Sequence, residues 1–312
     1  MRGKKLKILK DVLGRCHQSG ADEYLFPCPF CDHRKRKLSV NIEKSFYKCW
    51  ICNAHGRHLS WIIQRFGDES AKQEWSEFEI REDVDVGDFE MLFEAPERLV
   101  ERTMDLPLHY LSLTSKTLPR GANGALKYLR ERGVVWEDIV RWKIGYCSEG
   151  EYAGRIIIPS FNESGYVNYF IARSYGSEWP AYKNPQANRD IIFNELYVNW
   201  EEDVVLVEGV FDAINAGNAI PLLGSTLREN SKLYQEIVKR DINVYVALDA
   251  DAKKKASRIA NSLLMYDVTV YLVDTSGYDD VGQMSKDAFA KRKEKANIMN
   301  SHYYLYTRFL DL

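Results

Sequence analysis

Apolar positions along the chain change period several times, and each period predicts an element. From Leu38 through Val40 to Ile42 apolar residues alternate with polar ones, as on a strand with one buried face. A turn at Glu43-Lys44-Ser45 would send Phe46 and Lys48 back antiparallel. HLSWIIQRF, residues 58–66, spaces its apolar residues as a helix does. GALKYLRERGVVWEDIVRWKIGYC, residues 124–147, predicts a helix stopped at Gly133 and then a second helix. GRIIIPSF through IAR predicts a hairpin followed by a basic, aromatic segment. Further on, DVVLV from Asp203, the run before Asp249 and VTVYLVD are short, Val-rich and continuously apolar, and helical patterns follow the first two. Strands of this kind belong in an open α/β sheet covered on both faces.

A length of 312 residues with 45% apolar content is enough for two or three folded units, so the expectation is an α/β (α+β) multidomain protein. The net charge of −2 conceals a division. Residues 1–60 hold 13 Lys and Arg against 5 Asp and Glu, whereas residues 68–105 hold 4 against 14. A basic module over residues 1–67 that contacts a polyanion, followed by an acidic, solvated tether over 68–100, is the reading. The opening MRGKKLKILK carries no apolar signal region and no stretch approaches the roughly 18 apolar residues of a membrane span, which predicts a cytoplasmic protein without membrane contact.

In such a reducing compartment six cysteines are not expected to pair as disulfides. Cys28 and Cys31 form one CxxC pair and Cys49 and Cys52 a second, 17 residues apart. Two knuckles at this spacing present four sulfurs to one ion, and the hairpin between them brings the knuckles together as a zinc ribbon. Four thiolates leave no open position for water or substrate, so the zinc is structural. His33 and His55 are the rival ligands; Cys16 and Cys147 read as small core residues. Between the knuckles Arg34, Lys35, Arg36 and Lys37 lie near Phe30, Phe46, Tyr47 and Trp50, a combination that suits a single-stranded nucleic acid, although a module this small needs about half of those rings for its core.

Carboxylates gather at the ends of the three apolar runs: Glu208 after the first, Asp249 and Asp251 after the second, Asp279 and Asp280 beyond the third. Ligands bind at the carboxyl ends of strands in an open α/β sheet, so these groups should converge. Converging carboxylates need a cation between them, and hard oxygen donors without His or Cys favour Mg2+ or Mn2+, a site suited to phosphoryl transfer. Upstream, Arg155, Arg173 and Lys183 are candidates to complement phosphate charge.

These residues resemble one known family, the bacterial and phage DNA primases. CPFC with CWICNAHG is similar to its zinc signature, LKYLRERG with IGYC to the start of its polymerase domain, and GRIIIPSF, IAR and YKNP to its template-facing basic motifs. VEGVFDA, LDADA and GYDDVGQMSKDAF are similar to the three acidic elements of its TOPRIM fold. The resemblance implies the front of an RNA polymerase domain over 101–200, a TOPRIM subdomain over 201–295 and a tail over 296–312. It implies synthesis of short RNA primers from ribonucleoside triphosphates on a single-stranded DNA template. Glu208 would be the general base or a metal-orienting carboxylate, and Asp249 and Asp251 would hold Mg2+, assisted by Asp279 or Asp280. Two departures stand out: Cys31 occupies a place where many relatives carry His, and Gly277 and Tyr278 replace the start of the family's Asp-Pro-Asp element. With little chain after residue 295, the resemblance is to a short phage-type primase working with a separate replicative helicase.

Two other readings use the same residues. A TOPRIM nuclease or topoisomerase-like enzyme would cut DNA with these carboxylates, though a topoisomerase needs a tyrosine nucleophile in a separate domain. A non-catalytic, zinc-dependent single-strand binding factor would not need Glu208, Asp249 and Asp251 intact.

Overall fold

The computed structural model describes residues 2–31, 33–79, 103–224 and 226–299. It has the expected mixed α/β character and divides into two compact units. One gathers Met1–Glu97 with the segments Gln235–Asp241 and Asn261–Val268, and the other holds the remainder.

The first unit is built on an antiparallel sheet in sequential order, β1 (His17–Gln18), β2 (Glu23–Phe26), β3 (Leu38–Asn41), β4 (Phe46–Cys49) and β5 (His55–Gly56). The β3–β4 hairpin pairs Leu38 with Cys49 and Val40 with Tyr47, turning through Ser45 at φ 59°. Leu38, Val40 and Ile42 are buried as expected, but so is Ser39, because both faces of this strand are covered. Helix α1 (Arg2–Leu13) buries Ile8, Leu9 and Leu13, and α2 (Ser60–Phe66) buries Ile62 and Ile63 while leaving Trp61 exposed.

A third helix, α3 (Glu69–Glu79), lies in the stretch expected as a tether. Asp68 caps its start, with Oδ1 accepting from the Ala71 N–H at 2.8 Å. Ala71, Trp75 and Phe78 fall on one face and are buried in the core shared with α1 and α2. Glu69, Glu74 and Glu77 are exposed. The rest of the expected tether, from residue 80 to 100, and the tail from residue 300 lie outside the described residues.

The second unit has two sheets. The first is antiparallel, β6 (Tyr110–Ser112), β7 (Gly145–Cys147), β8 (Arg155–Phe161) and β9 (Val167–Ser174), with β8 and β9 forming the expected hairpin. Helices α4 (Ala122–Glu131) and α5 (Trp136–Arg141) also form as expected. Gly133 at φ 73° ends the first by donating its N–H to Arg130 O, a backbone geometry that favours glycine.

The second sheet runs β11 (Ala219–Pro221), β10 (Val204–Val207), β12 (Val244–Val246), β13 (Val270–Leu272), β14 (Asn297–Met299), parallel except for the last strand. The chain also forms α6 (Val210–Ala216), α7 (Lys232–Arg240), α8 (Lys253–Met265) and α9 (Lys286–Glu294). All four residues of β10 are buried, as a central parallel strand requires. Register fixes the functional edge: Leu206 pairs with Val246 and Val246 with Leu272, so the carboxyl ends of β10, β12 and β13 finish level.

Candidate zinc site and carboxylate cluster

The sulfurs of Cys28, Cys31, Cys49 and Cys52 all lie within 4.8 Å of one another, and among the described residues they are the one His, Cys, Asp or Glu group drawn this close. Cys28 Sγ is 3.8 Å from Cys52 Sγ and Cys31 Sγ 3.9 Å from Cys49 Sγ. Zn–S bonds of about 2.3 Å place tetrahedral sulfurs about 3.8 Å apart, the spacing of these two pairs, so the donor set fits zinc. Asn53 at φ 57° closes the second knuckle, and the Ile51 N–H points at Cys49 Sγ. A hydrogen bond with Cys28 holds the Cys49 thiol down, to about 5, so a thiolate forms readily. His55 Nδ1 lies 2.8 Å from Asn53 O, and His33 accepts from the Lys35 N–H; neither belongs to the sulfur set. Cys147 is buried, its thiol pushed up to about 11, and Cys16 is half-buried.

The basic run is not an open cationic stripe. Within this unit Lys35 Nζ is 3.0 Å from Asp241 Oδ1, Arg36 grips Asp267, and Lys37, fully buried, donates to Tyr266 O and pairs with Asp241. Burial pushes the Lys37 ammonium down. Arg34 alone of the four is exposed. Of the nearby rings, Tyr47 is core, Phe46 is half-buried, Phe30 stacks on Tyr47, and Trp50 meets Tyr266 edge-on.

In the second unit Glu208 directly follows β10, and Asp249 and Asp251 follow β12. Asp249 is pushed up to about 7, first by burial and then by the charges of Glu208, Asp212, Asp280 and Asp251, so these five carboxylates converge. Asp279 is exposed and its Oδ2 accepts from Gln283 Nε2 at 3.1 Å, whereas an oxygen of Asp280 is buried. The third acidic pair therefore contributes Asp280.

Asp212 was visible on its helix but not recognisable as part of the cluster. In the first turn of α6, its Oδ2 accepts from the Gly209 N–H and its Oδ1 from the Gly282 N–H, both at 2.8 Å. It thereby ties the start of the helix to the loop bearing Asp280. Burial pushes it up to about 6 against the pull of those two N–H groups. A polar residue at the third helical position was the only signal; its second partner, Gly282, is far off in sequence.

Among the described residues, Asp249 Oδ1 and Asp280 Oδ1 are buried and find no hydrogen-bond partner. Unpaired carboxylate oxygens in a group of converging carboxylates are what a hard divalent cation satisfies, so the donor set fits Mg2+ or Mn2+. The three cations expected to face phosphate are engaged elsewhere. Arg155 is buried and points to Ala181 O; Arg173 donates to Tyr128 Oη and lies between the Tyr128 and Tyr182 rings; Lys183 pairs with Glu151.

Comparison with known proteins agrees with this geometry. Residues 7–79 match the CHC2 zinc finger, the zinc ribbon of DnaG. Over 90% of its length the chain is 22% identical to a DNA primase of Thermotoga maritima, and over 86% it is 24% identical to that of Escherichia coli K12. It spans only 57% and 56% of those two relatives. Its fold is similar to the zinc-binding and RNA polymerase domains of Aquifex aeolicus primase, with a TM-score of 0.50 at 19% identity, covering 95% of this chain and 84% of that one. A primase domain of Pseudomonas aeruginosa gives 0.51 at 19% identity over 63% of this chain and 78% of its own. The zinc ribbon match, the relatives and the fold are each a similarity to the bacterial DNA primases.

Proposed function

We propose that the chain is a DNA primase that makes short RNA primers from ribonucleoside triphosphates on single-stranded DNA during replication. The observation that carries this reading is the pair of buried, unpartnered oxygens on Asp249 and Asp280 at the carboxyl edge of a parallel sheet, in a chain that also holds a four-thiol pocket. Each addition joins the 3′-hydroxyl oxygen of the growing strand to the α-phosphorus of a triphosphate; the bond from that phosphorus to the bridging oxygen breaks and pyrophosphate leaves. Glu208, Asp249, Asp251 and Asp280 would hold Mg2+ or Mn2+, which supplies charge neutralisation for the triphosphate and its leaving group. Glu208, partly exposed, would take the hydroxyl proton on a carboxylate oxygen or orient the metal. Asp212 positions Asp280 through the Gly282 N–H.

Single-stranded DNA as template is supported by a similar fold, at a TM-score of 0.50, in a primase catalytic domain bound to ssDNA. Arg34 and exposed aromatic edges of the zinc ribbon would contact it, and Lys35, Arg36 and Lys37 would join only by exchanging their Asp partners. Arg173 and Lys183 would line its path in the polymerase domain. No described helix is long and apolar enough to cross a membrane; on this reading the chain would work in the cytoplasm beside a separate replicative helicase. The test is to supply single-stranded DNA, Mg2+ and labelled ribonucleoside triphosphates. Template-dependent RNA oligomers are the expected product, whereas shortened DNA without triphosphates would make the chain a nuclease.

A further inference from the structure

The rim of the carboxylate cluster carries two cations that the sequence did not single out. Lys255 Nζ, on the first turn of α8, lies 3.7 Å from Glu208 Oε2. Arg132, the residue that caps the end of α4, places Nη1 3.8 Å from Asp280 Oδ2. Its guanidinium rests over the rings of Tyr128 and Phe211, at 5.6 and 5.3 Å, which fixes its direction.

Both separations exceed the about 2.7–2.9 Å of a charge-assisted hydrogen bond. Among the described residues, neither side chain donates a hydrogen bond to a carboxylate or carbonyl. The contrast with Arg36 is direct, since its Nε and Nη2 are committed to Asp267 at 2.9 and 2.8 Å. Lys255 and Arg132 are held at the cluster by charge while their N–H donors remain unspent. Their side chains keep 24% and 31% of their surface open, enough for a ligand to reach them.

A nucleoside triphosphate carries several negative charges and must approach five carboxylates. Arg155, Arg173 and Lys183 are turned to other partners, whereas Lys255 and Arg132 stand against the carboxylates themselves. We propose that Lys255 and Arg132 bind the triphosphate, donating to its non-bridging oxygens as the carboxylates pass to a divalent cation. This rests on the primer-synthesis reading and identifies the cations which that reading needs. It also gives the Lys-rich start of α8 a use specific to one of its three lysines: Lys253 and Lys254 are exposed and, among the described residues, only Lys255 of the three pairs with a carboxylate of the cluster.

The test is equilibrium binding by calorimetry on the full chain with Mg2+ and no template, using ATP and AMP as probes. Lys255→Ala should weaken ATP about tenfold and AMP little, because the lost contact is to the outer phosphates. Arg132→Gln should behave alike, Lys255→Arg should restore most of the affinity, and Lys254→Ala should match wild type. Binding of a single-stranded oligonucleotide should not change in Lys255→Ala. Unchanged ATP affinity in Lys255→Ala, an equal loss in Lys254→Ala, or an equal loss for AMP would each overturn the assignment while leaving the primase reading intact. Wild-type protein that binds no ATP at all would overturn both.

Discussion

Arg36 and Asp267, 231 positions apart, form a closed pair in which Nε and Nη2 donate to the two carboxylate oxygens at 2.9 and 2.8 Å and the Arg36 backbone N–H adds a third bond at 3.0 Å. Burial works against the ionised Asp267, yet the Arg36 hydrogen bonds outweigh it and its pKa falls below the ordinary value. A carboxylate depressed in the fold stabilises it above the unfolded value, about 3.9, and that stabilisation is lost as pH falls through the folded value. Asp267→Asn should therefore unfold at a lower temperature than wild type at pH 7, by on the order of 3 °C, and the gap should close under strongly acid conditions. Thermal melts of both proteins across pH would show this; a gap that does not change with pH would mean the carboxylate's charge contributes nothing.

The same pairing ranks the basic run. Arg34→Ala should lower the salt slope of single-strand binding by about one, the effect of one lost phosphate contact, whereas Lys37→Met should leave the slope nearly unchanged. Affinities at several salt concentrations decide the matter. An equal drop in both variants would mean that Lys37 leaves its buried partners to meet the template.

One zinc per chain should be recovered from purified protein, because four sulfurs lie within 4.8 Å of one another and two of the pairs stand at tetrahedral spacing. Cys49→Ser with Cys52→Ser should release it. Metal analysis checks both, and full zinc in the double variant would displace the assignment.

How much of this was readable in advance depends on the range over which each feature is determined. The CxxC knuckles, the β3–β4 hairpin and strands β10 and β12 are set by neighbours a few residues apart, and the sequence pattern shows them. The convergence of Glu208, Asp249 and Asp280 followed from strand polarity alone. What stayed hidden depends on distant partners. Nothing near Lys37 announces that Asp241 and Tyr266 will bury it, and nothing near Asp212 announces Gly282. Helix α3 was masked differently, since the net charge of its exposed face outweighed Trp75 and Phe78 in a reading based on composition.

Asp212→Ala should cost both stability and synthesis. It strands the Gly209 and Gly282 N–H groups, at about 1–3 kcal/mol for each that stays dry, and frees the loop that carries Asp280. Asp212→Asn, which keeps one acceptor, should lose less of both. Melting curves beside primer yield separate the two variants; wild-type stability in Asp212→Ala would show that the clamp is dispensable.

The most direct measurement of the central claim is primer synthesis by Asp249→Ala. Burial, and then the charges of its carboxylate neighbours, push Asp249 up to about 7, and its Oδ1 has no hydrogen-bond partner among the described residues, so removing it should not unfold the protein. The account predicts a folded variant with its zinc retained and a rate of RNA primer formation lower by about a thousandfold, the loss expected when several kcal/mol of transition-state stabilisation disappear. Primer formation at close to the wild-type rate by folded Asp249→Ala protein would contradict it.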